Sequence, residues 1–314
     1  MLCRSVGGGG VWEHAGLEGT PIAEDGFLYI TDGWGGVYKL DVRQNGKLVW
    51  KMDPDTDQNW AGAVTCCGID NRGIALWKDK VISHALDGRL LVIDKETGEI
   101  EQEIPVADPG IGETITAAPL VIKDKAITGV AGGEFGIRGW INATDLENGE
   151  QDWRFHTIPA PGEPGSETWK PGPEAHSIDA WKHGGGPTWL TGSYDPALNM
   201  VFWGVGNPGP DWDNAYRPGD NLYSNSVVAL DADTGELKWH FQYTPNDSYD
   251  FDGVNEQTLV DAEIHGKLTK AVLHADRNGF AYALDRTNGK FLWGTPFVKK
   301  LNWTSGLDKY SGRP

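Results

Sequence analysis

Short runs of alternating apolar and polar residues follow one another along the chain, and one eleven-residue pattern recurs among them. It reads Ala-Leu-Asp-Ala-Asp-Thr-Gly-Glu-Leu-Lys-Trp at 229–239 and returns at 143–153 and 283–293. Looser copies begin at Leu40, with one extra residue, and at Ile93, without the tryptophan. Each copy predicts a strand that ends in Asp, a tight turn in which Gly or Asn supplies a positive φ, and a second strand. The pattern therefore predicts a repeated β-hairpin.

The spacing of these hairpins predicts the fold class. Their marker residues are Asp41, Asp94, Asp145, Asp231 and Asp285. One or two further apolar runs precede most of them, which gives a four-stranded unit of about fifty residues. A repeat of this kind is typical of a β-propeller blade rather than of a sandwich or a barrel. We expect an all-β propeller with about five blades, in which each repeated Trp packs between adjacent blades.

The longest interval between markers contains an insertion. The surplus lies at about 154–188, which is rich in Pro, Gly and Glu and has no strand alternation. Long loops of this kind are usually functional or disordered. No closing strand is visible after Ser311, so we expect residues 1–314 to form a single, partial propeller domain, an open part of a larger ring.

Composition and charge exclude several classes of partner. The chain has 45 acidic and 27 basic residues, a formal net charge of −18. This charge repels nucleic-acid backbones and anionic lipids. No run of 18 or more apolar residues is present, so we expect no membrane span. Met1 and the glycines that follow do not resemble a secretory signal. The usual sequence motifs for nicotinamide dinucleotides, nucleotide phosphates and zinc are absent.

Two adjacent cysteines are the first candidates for chemistry. Cys66 and Cys67 would form a strained eight-membered ring if they were bonded to each other. Strained disulfides tend to lie at functional sites. The alternative is two small buried thiols that are adjacent by chance, and the residues alone leave both open.

Oxygen-bearing side chains outside the repeat form the second group of candidates. Glu134 lies in a glycine-rich segment, Asn207 lies in Gly-Asn-Pro-Gly, and Asp250 and Asp252 flank Phe251. Such oxygens suit a hard cation, and the two aspartates share a face if their segment is extended. The alternative is that these residues cap turns in solvated loops.

Three further residues suit a flat, anionic ligand. Trp189 follows three glycines and a Pro-Thr pair, which gives the backbone freedom to present the indole face, although the side chain could equally belong to the core. Arg72 and Arg277 are candidates to bind carboxylates with two parallel hydrogen bonds.

Taken together, these segments resemble the pyrroloquinoline-quinone (PQQ) alcohol dehydrogenases, the methanol and ethanol dehydrogenase family. The resemblance rests on Val-Thr-Cys-Cys-Gly, Gly-Gly-Glu-Phe-Gly-Ile-Arg-Gly, Gly-Asn-Pro-Gly-Pro, Arg-Pro-Gly-Asp-Asn and Ala-Asp-Arg-Asn-Gly, which occur in the family's order along essentially the whole chain. It implies an eight-bladed ring girdled by tryptophan-docking motifs, of which this chain would supply about five blades.

The resemblance implies a role for each candidate. Cys66 and Cys67 would form a vicinal disulfide on one face of the quinone, and Trp189 would stack on the other. The quinone would be held by Glu18, Arg72, Thr116, Gly132, Gly133 and Arg277. The metal would be bound by Glu134, Asn207, Asp250 and Asp252, with Asp250 also acting as the general base.

Asp252 bears on the identity of the metal. The resemblance implies a small residue two positions after the base in calcium-dependent members and a second Asp in the lanthanide-dependent branch. A trivalent ion favours more anionic ligands. We therefore expect a lanthanide, with Ca²⁺ as the second choice.

The same resemblance implies oxidation of a primary alcohol to an aldehyde, a cytochrome c as electron acceptor and a periplasmic location, and it leaves a homodimer open. The export signal would then be missing from this chain. The main alternative is a non-catalytic propeller scaffold, such as an assembly factor. A scaffold would have no reason to retain the cysteine pair together with Glu134, Asn207 and Asp250.

Overall fold

The computed structural model describes residues 17–65, 68–264 and 266–314. In this part of the chain, twenty strands form five separate four-stranded antiparallel sheets. Each sheet is a simple meander in which every strand pairs with its sequence neighbours. The predicted all-β propeller with five blades is confirmed.

The blades follow one another along the chain. Blade 1 contains β1 (Ile22–Glu24), β2 (Phe27–Thr31), β3 (Val37–Asp41) and β4 (Lys47–Met52). Blade 2 contains β5 (Ala75–Trp77), β6 (Lys80–His84), β7 (Arg89–Asp94) and β8 (Ile100–Pro105). Blade 3 contains β9 (Leu120–Ile122), β10 (Lys125–Gly129), β11 (Trp140–Asp145) and β12 (Gln151–His156). Blade 4 contains β13 (Ser193–Asp195), β14 (Met200–Val205), β15 (Ser226–Asp231) and β16 (Leu237–Gln242). Blade 5 contains β17 (Thr258–Ile264), β18 (Lys267–Ala275), β19 (Phe280–Asp285) and β20 (Phe291–Pro296).

Helical structure is sparse and lies in the connections. One α-helix, α1 (Gln58–Val64), follows blade 1. The 3₁₀ helices are Val42–Gln44, Pro109–Ile111, Gly133–Phe135, Ser166–Thr168 and Ala175–His183. The last two lie in the long connection from β12 to β13, where the sequence predicts an insertion. None of the helices in the described ranges is long and apolar enough to cross a membrane.

The repeated Asp organises the turn between the third and fourth strand of each blade. In blade 4, the Asp231 carboxylate accepts hydrogen bonds from the backbone N–H groups of Asp233 and Thr234. Gly235, at a φ of 70°, then donates its N–H to the Asp231 carbonyl. In blade 1 the extra residue is accommodated by the 3₁₀ turn Val42–Gln44 and a second positive φ at Asn45.

In blades 1, 3 and 4, the tryptophan at the end of the hairpin packs on the next blade. The Trp153 indole N–H donates to the Ala232 carbonyl at 3.2 Å, and a Cβ atom placed on Gly235 would lie 2.6 Å from the indole ring. Trp50 and Trp239 make the equivalent contacts with blades 2 and 5. Blade 2 has no such Trp, and the side chain of Ile104 packs against Gly149 instead. Four clusters of buried apolar side chains accordingly lie between consecutive blades.

Replacing Gly235 with Ala should lower the stability of the protein, because the new methyl group would collide with the Trp153 ring. We expect a loss of about 3 kcal/mol in the free energy of unfolding, measured by urea denaturation, from left-handed backbone strain and overpacking combined. Gly46→Ala is the matched control, since Gly46 also has a positive φ of 75° but has open space where the methyl would go. It should cost only about 1–2 kcal/mol. Equal losses in the two variants would contradict the docking role.

Candidate functional site

Connection order places the candidate residues on one face of the propeller. In a four-stranded meander, the segments between blades and the segments between the second and third strands leave from the same edge of the sheet. The segments between blades carry Arg72, Thr116, Trp189, Asp250 and Asp252, and Glu18 lies in the segment that leads into blade 1. The segments between second and third strands carry Gly132, Gly133, Glu134, Asn207 and Arg277. The Asp-Gly hairpin turns therefore lie on the opposite face.

The residues predicted to hold the quinone's polar groups form one cluster. The Arg72 guanidinium lies 2.8 Å from the Glu18 carboxylate and 4.9 Å from the centroid of the Trp189 ring. The Arg72 backbone N–H donates to the Thr116 carbonyl at 3.0 Å. The structure therefore brings Glu18, Arg72, Thr116 and Trp189 together. The predicted pair Cys66 and Cys67 lies outside the described residues.

The backbone before Trp189 is held tightly by its glycines. Gly185 and Gly186 adopt φ values of 67° and 63°. A Cβ atom on Gly129 of β10 would lie only 2.0 Å from the Thr188 carbonyl oxygen, so the chain passes directly over that strand. The Thr188 hydroxyl donates to the Trp140 carbonyl at 2.7 Å. These contacts fix the backbone position from which the Trp189 side chain extends.

Gly132 and Gly133 allow a second close backbone approach. Gly132 has a φ of 118°, and a Cβ atom there would lie 2.2 Å from the Gly112 carbonyl oxygen. A Cβ atom on Gly133 would lie 2.9 Å from the ring of Pro187, just before Trp189 in the chain. The 3₁₀ turn that follows carries Glu134 to the surface of an open cavity.

This cavity has a volume of about 720 Å³. Its lining is glycine-rich and aromatic and includes three acidic residues, the predicted metal ligand Glu134 together with Asp211 and Asp213. A pocket of this size is in the range of sites for small organic ligands.

Asn207 contacts two members of an acidic group that comprises Glu134, Asp211, Asp250 and Asp252. The residue is fully buried. Its side-chain Nδ2 donates to Asp211 Oδ1 at 2.6 Å, and its backbone N–H donates to Asp252 Oδ1 at 3.0 Å. Among the described residues, its Oδ1 has no hydrogen-bond partner. A buried oxygen without a donor is costly unless something else, such as a cation, satisfies it.

The segment that carries Asp250 and Asp252 is not extended. Both residues have positive φ values, 61° and 54°. The buried Asp247 carboxylate accepts hydrogen bonds from the backbone N–H groups of Tyr249 and Phe251, both at 2.8 Å, and these bonds curl the chain. The expectation that the two aspartates share a face of an extended segment therefore does not apply.

Burial and mutual repulsion raise the pKa values of the acidic group. Burial raises the pKa of Asp211 to about 6, with the negative charges of Glu134 and Asp250 adding to the effect. The pKa values of Glu134 and Asp250 are also raised, in both cases mainly by desolvation. Glu134 is nevertheless exposed, so the protein around it removes only part of the water from its side chain. Arg217 and Arg277 offset only part of this negative charge, and a bound cation would relieve the remainder.

Asp252 is the most deeply buried of these carboxylates. Burial raises its pKa to about 8, against the lowering effect of Arg277. Its Oδ2 is paired with the Arg277 guanidinium, and its Oδ1 accepts the Asn207 N–H. Within 17–65, 68–264 and 266–314, no three His, Cys, Asp or Glu side chains lie within reach of one metal ion. The predicted set of three carboxylates and Asn207 as shared ligands therefore stays a prediction.

Sequence reasoning missed three residues of this region. Asp211 follows Asn207 by four positions, and Asp247 precedes the Asp-Phe-Asp segment. The third is Arg217, which is completely buried and whose guanidinium donates to the carbonyls of Pro210, Asp211 and Asp247. For Arg217, the signal in the sequence was its position in the Arg-Pro-Gly-Asp-Asn segment on which the family resemblance rests.

Comparison with known proteins identifies the class. Residues 11–299 match the family model for the PQQ glucose/ethanol/alcohol dehydrogenase β-propeller domain. The chain therefore belongs to this family of quinoprotein dehydrogenase propellers.

Particular relatives are similar over almost all of the chain. It is 44% identical to the quinoprotein alcohol dehydrogenase PedH of Pseudomonas putida, over 96% of this chain and 51% of PedH. The crystal structure of the quinohemoprotein alcohol dehydrogenase of Comamonas testosteroni superposes with a TM-score of 0.89 at 41% identity, over 96% of this chain and 45% of that one. A europium-containing methanol dehydrogenase gives a TM-score of 0.87 at 38% identity, over 96% and 54%. The chain thus spans about half the length of the curated relatives it matches.

Proposed function

We propose that this protein oxidises a primary alcohol to an aldehyde with PQQ and a bound metal ion. The observation that carries the proposal is the unsatisfied Asn207 Oδ1, which lies buried among carboxylates whose pKa values are raised. Because the chain belongs to the PQQ propeller family, we interpret this arrangement as a metal site. In this proposal the five blades act as one partial propeller domain, because apolar clusters join each blade to the next.

The donor set fits a hard cation. Carboxylate and amide oxygens are the ligands that Ca²⁺ and similar ions prefer. We assign Glu134, Asn207 and Asp250 to the ion, with Asp252 as the additional anionic ligand. Asp252 now pairs with Arg277, but a carboxylate has further lone pairs, so it can accept these hydrogen bonds and still bind a cation.

A second set of residues fits the quinone. Arg72 already binds one carboxylate, that of Glu18, and lies against the Trp189 ring, so its guanidinium suits a flat acid that stacks on Trp189. We assign Thr116 and the Gly132–Gly133 backbone to the same ligand, on the resemblance and on the bond between the Arg72 N–H and the Thr116 carbonyl. Cys66 and Cys67 complete the proposed slot as a vicinal disulfide, on the resemblance alone.

The side chains align the alcohol and move its proton. When bound, PQQ takes up the two electrons and the hydrogen from the alcohol carbon, and the metal acts as a Lewis acid. Asp250 acts as the general base that accepts the hydroxyl proton, and its raised pKa brings it closer to the value that suits this task. Arg277 supplies a positive charge beside Asp252 and would hydrogen-bond the reactive region of the quinone.

We propose a lanthanide as the metal, with Ca²⁺ as the second choice. Asp252 adds a fourth oxygen donor and a third negative charge to the proposed ligands, and a trivalent ion gains more from that charge than a divalent one. Similarity to a europium-containing methanol dehydrogenase is consistent with this choice.

The remaining parts of the proposal concern partners and location. We infer a cytochrome c as the electron acceptor and a periplasmic location, both implied by the resemblance. The net charge of −18 would attract a basic acceptor and accelerate its association at low salt.

Replacing Asp250 with Asn should stop turnover while the quinone still binds. The amide keeps the size of the side chain but cannot accept the alcohol proton at neutral pH. After reconstitution with PQQ and La³⁺ or Ca²⁺, we expect a roughly 10²–10⁴-fold lower kcat in dye-linked alcohol oxidation. Asp213→Asn, on the exposed part of the same cavity wall, is the control and should retain activity. A fully active Asp250→Asn protein would reassign the base.

Replacing Asp252 with Ala should remove lanthanide-supported activity before calcium-supported activity. The variant lacks the carboxylate that we assign to the trivalent ion, whereas the other proposed ligands remain. The measurement is alcohol oxidation by parent and variant, each reconstituted in parallel with La³⁺ and with Ca²⁺. If the variant matches the parent with La³⁺, the case for a lanthanide is lost.

A further inference from the structure

The Asn207 side chain has to be oriented before it can bind a cation. An amide presents an oxygen on one side and a donating NH₂ group on the other, and only the oxygen can bind a metal. In this structure Nδ2 points to Asp211 Oδ1 at 2.6 Å. The reversed amide would place its oxygen against the Asp211 carboxylate, where two acceptors repel each other. Asp211 therefore selects the orientation that leaves Oδ1 available.

Asp211 is itself fixed in place. The Arg217 guanidinium donates to the Asp211 carbonyl at 2.9 Å and to the Pro210 carbonyl at 3.1 Å. Arg217 is completely buried and also donates to Asn221 Oδ1 at 2.9 Å. The loop after Asn207 is thus tied to a buried guanidinium, which fixes the backbone position from which the Asp211 carboxylate reaches Asn207.

Asp211 also contributes charge to the site. It lines the same cavity as Glu134, and it contacts the Asn207 side chain directly. Its carboxylate thus contacts a proposed ligand of the ion, where its charge would act on the ion without Asp211 being a ligand itself.

We propose that Asp211 is a positioning and specificity-determining residue of the metal site: it orients Asn207 for coordination, and its charge favours a trivalent over a divalent ion. This inference rests on the proposed metal site, and it adds a second acidic residue, besides Asp252, to the basis of metal choice.

The charge effect has a predicted ratio. Coulomb energy is proportional to the charge of the ion, so removal of one negative charge should change the logarithm of the affinity about 1.5 times as much for a trivalent as for a divalent ion. A variant that loses Ca²⁺ affinity about tenfold should then lose Tb³⁺ affinity about thirtyfold. A purely structural role of Asp211 would weaken both ions by similar factors.

The test is a binding titration of the full chain with Tb³⁺ and, separately, with Ca²⁺ by competition. Trp212 lines the same cavity and can sensitise terbium luminescence. Asp211→Asn removes the charge but keeps an oxygen that can accept from Asn207, whereas Asp211→Ala removes both. Asp213→Asn is the matched control, because it removes one charge from the same loop on an exposed side chain.

We expect Asp211→Asn to lose affinity in the predicted ratio and Asp213→Asn to lose much less of either affinity. Asp211→Ala should in addition shorten the terbium luminescence lifetime in water, because an unoriented Asn207 is replaced by a water ligand. If Asp211→Asn binds both ions like Asp213→Asn, or loses both affinities by the same factor, the inference is overturned. If the parent protein binds neither ion, the proposed metal site itself is wrong. Asp211→Asn preserves the shape of the side chain and carries the test alone should the Ala variant not fold.

Discussion

Each blade of this propeller is a four-stranded antiparallel meander, and that connectivity determines where everything else can lie. Successive connections alternate between the two edges of a sheet, so turns between third and fourth strands share one face of the propeller. The turns between first and second strands lie on that face as well, whereas the connections between second and third strands and those between blades share the opposite face. The contacts that join the blades and the candidate functional residues therefore lie on different faces. The turns near Gly98, Gly235 and Gly289 accept the tryptophans of the preceding blades, and the loops on the opposite face carry the polar candidate residues.

On the face that carries the candidate residues, the most informative feature is an excess of negative charge around one unsatisfied amide oxygen. Asn207 joins Asp211 and Asp252 through its side chain and backbone, and Arg277 neutralises only one of these carboxylates. Burial of like charges is unfavourable unless a cation or proton compensates for it. A metal ion would satisfy the oxygen and the carboxylates together, which is why the electrostatics of the chain and its family membership lead to the same proposal.

The fold could be predicted from the sequence because its signals are local. Asp, Gly and Trp recur within eleven residues, and each turn is built from hydrogen bonds inside that segment. The contact that replaces a missing Trp in blade 2 could not be predicted, since it depends on Ile104 meeting Gly149 of the next blade. The site was predictable only in part, because the Asp252–Arg277 pair and the Asn207–Asp211 bond join residues from loops whose relative positions the sequence does not reveal. The curl at Asp250 follows from Asp247, whose carboxylate binds the backbone ahead of it.

The central claim is that oxygens of Glu134, Asn207 and Asp250 share one cation. Anomalous X-ray diffraction from crystals of the protein grown with PQQ and a lanthanide tests it most directly, since the anomalous signal locates the ion independently of the protein density. We predict a single strong peak about 2.3–2.6 Å from oxygen atoms of all three residues, distances typical of large hard cations. A peak outside this group, or an ion bound without the Asn207 oxygen, would contradict the account.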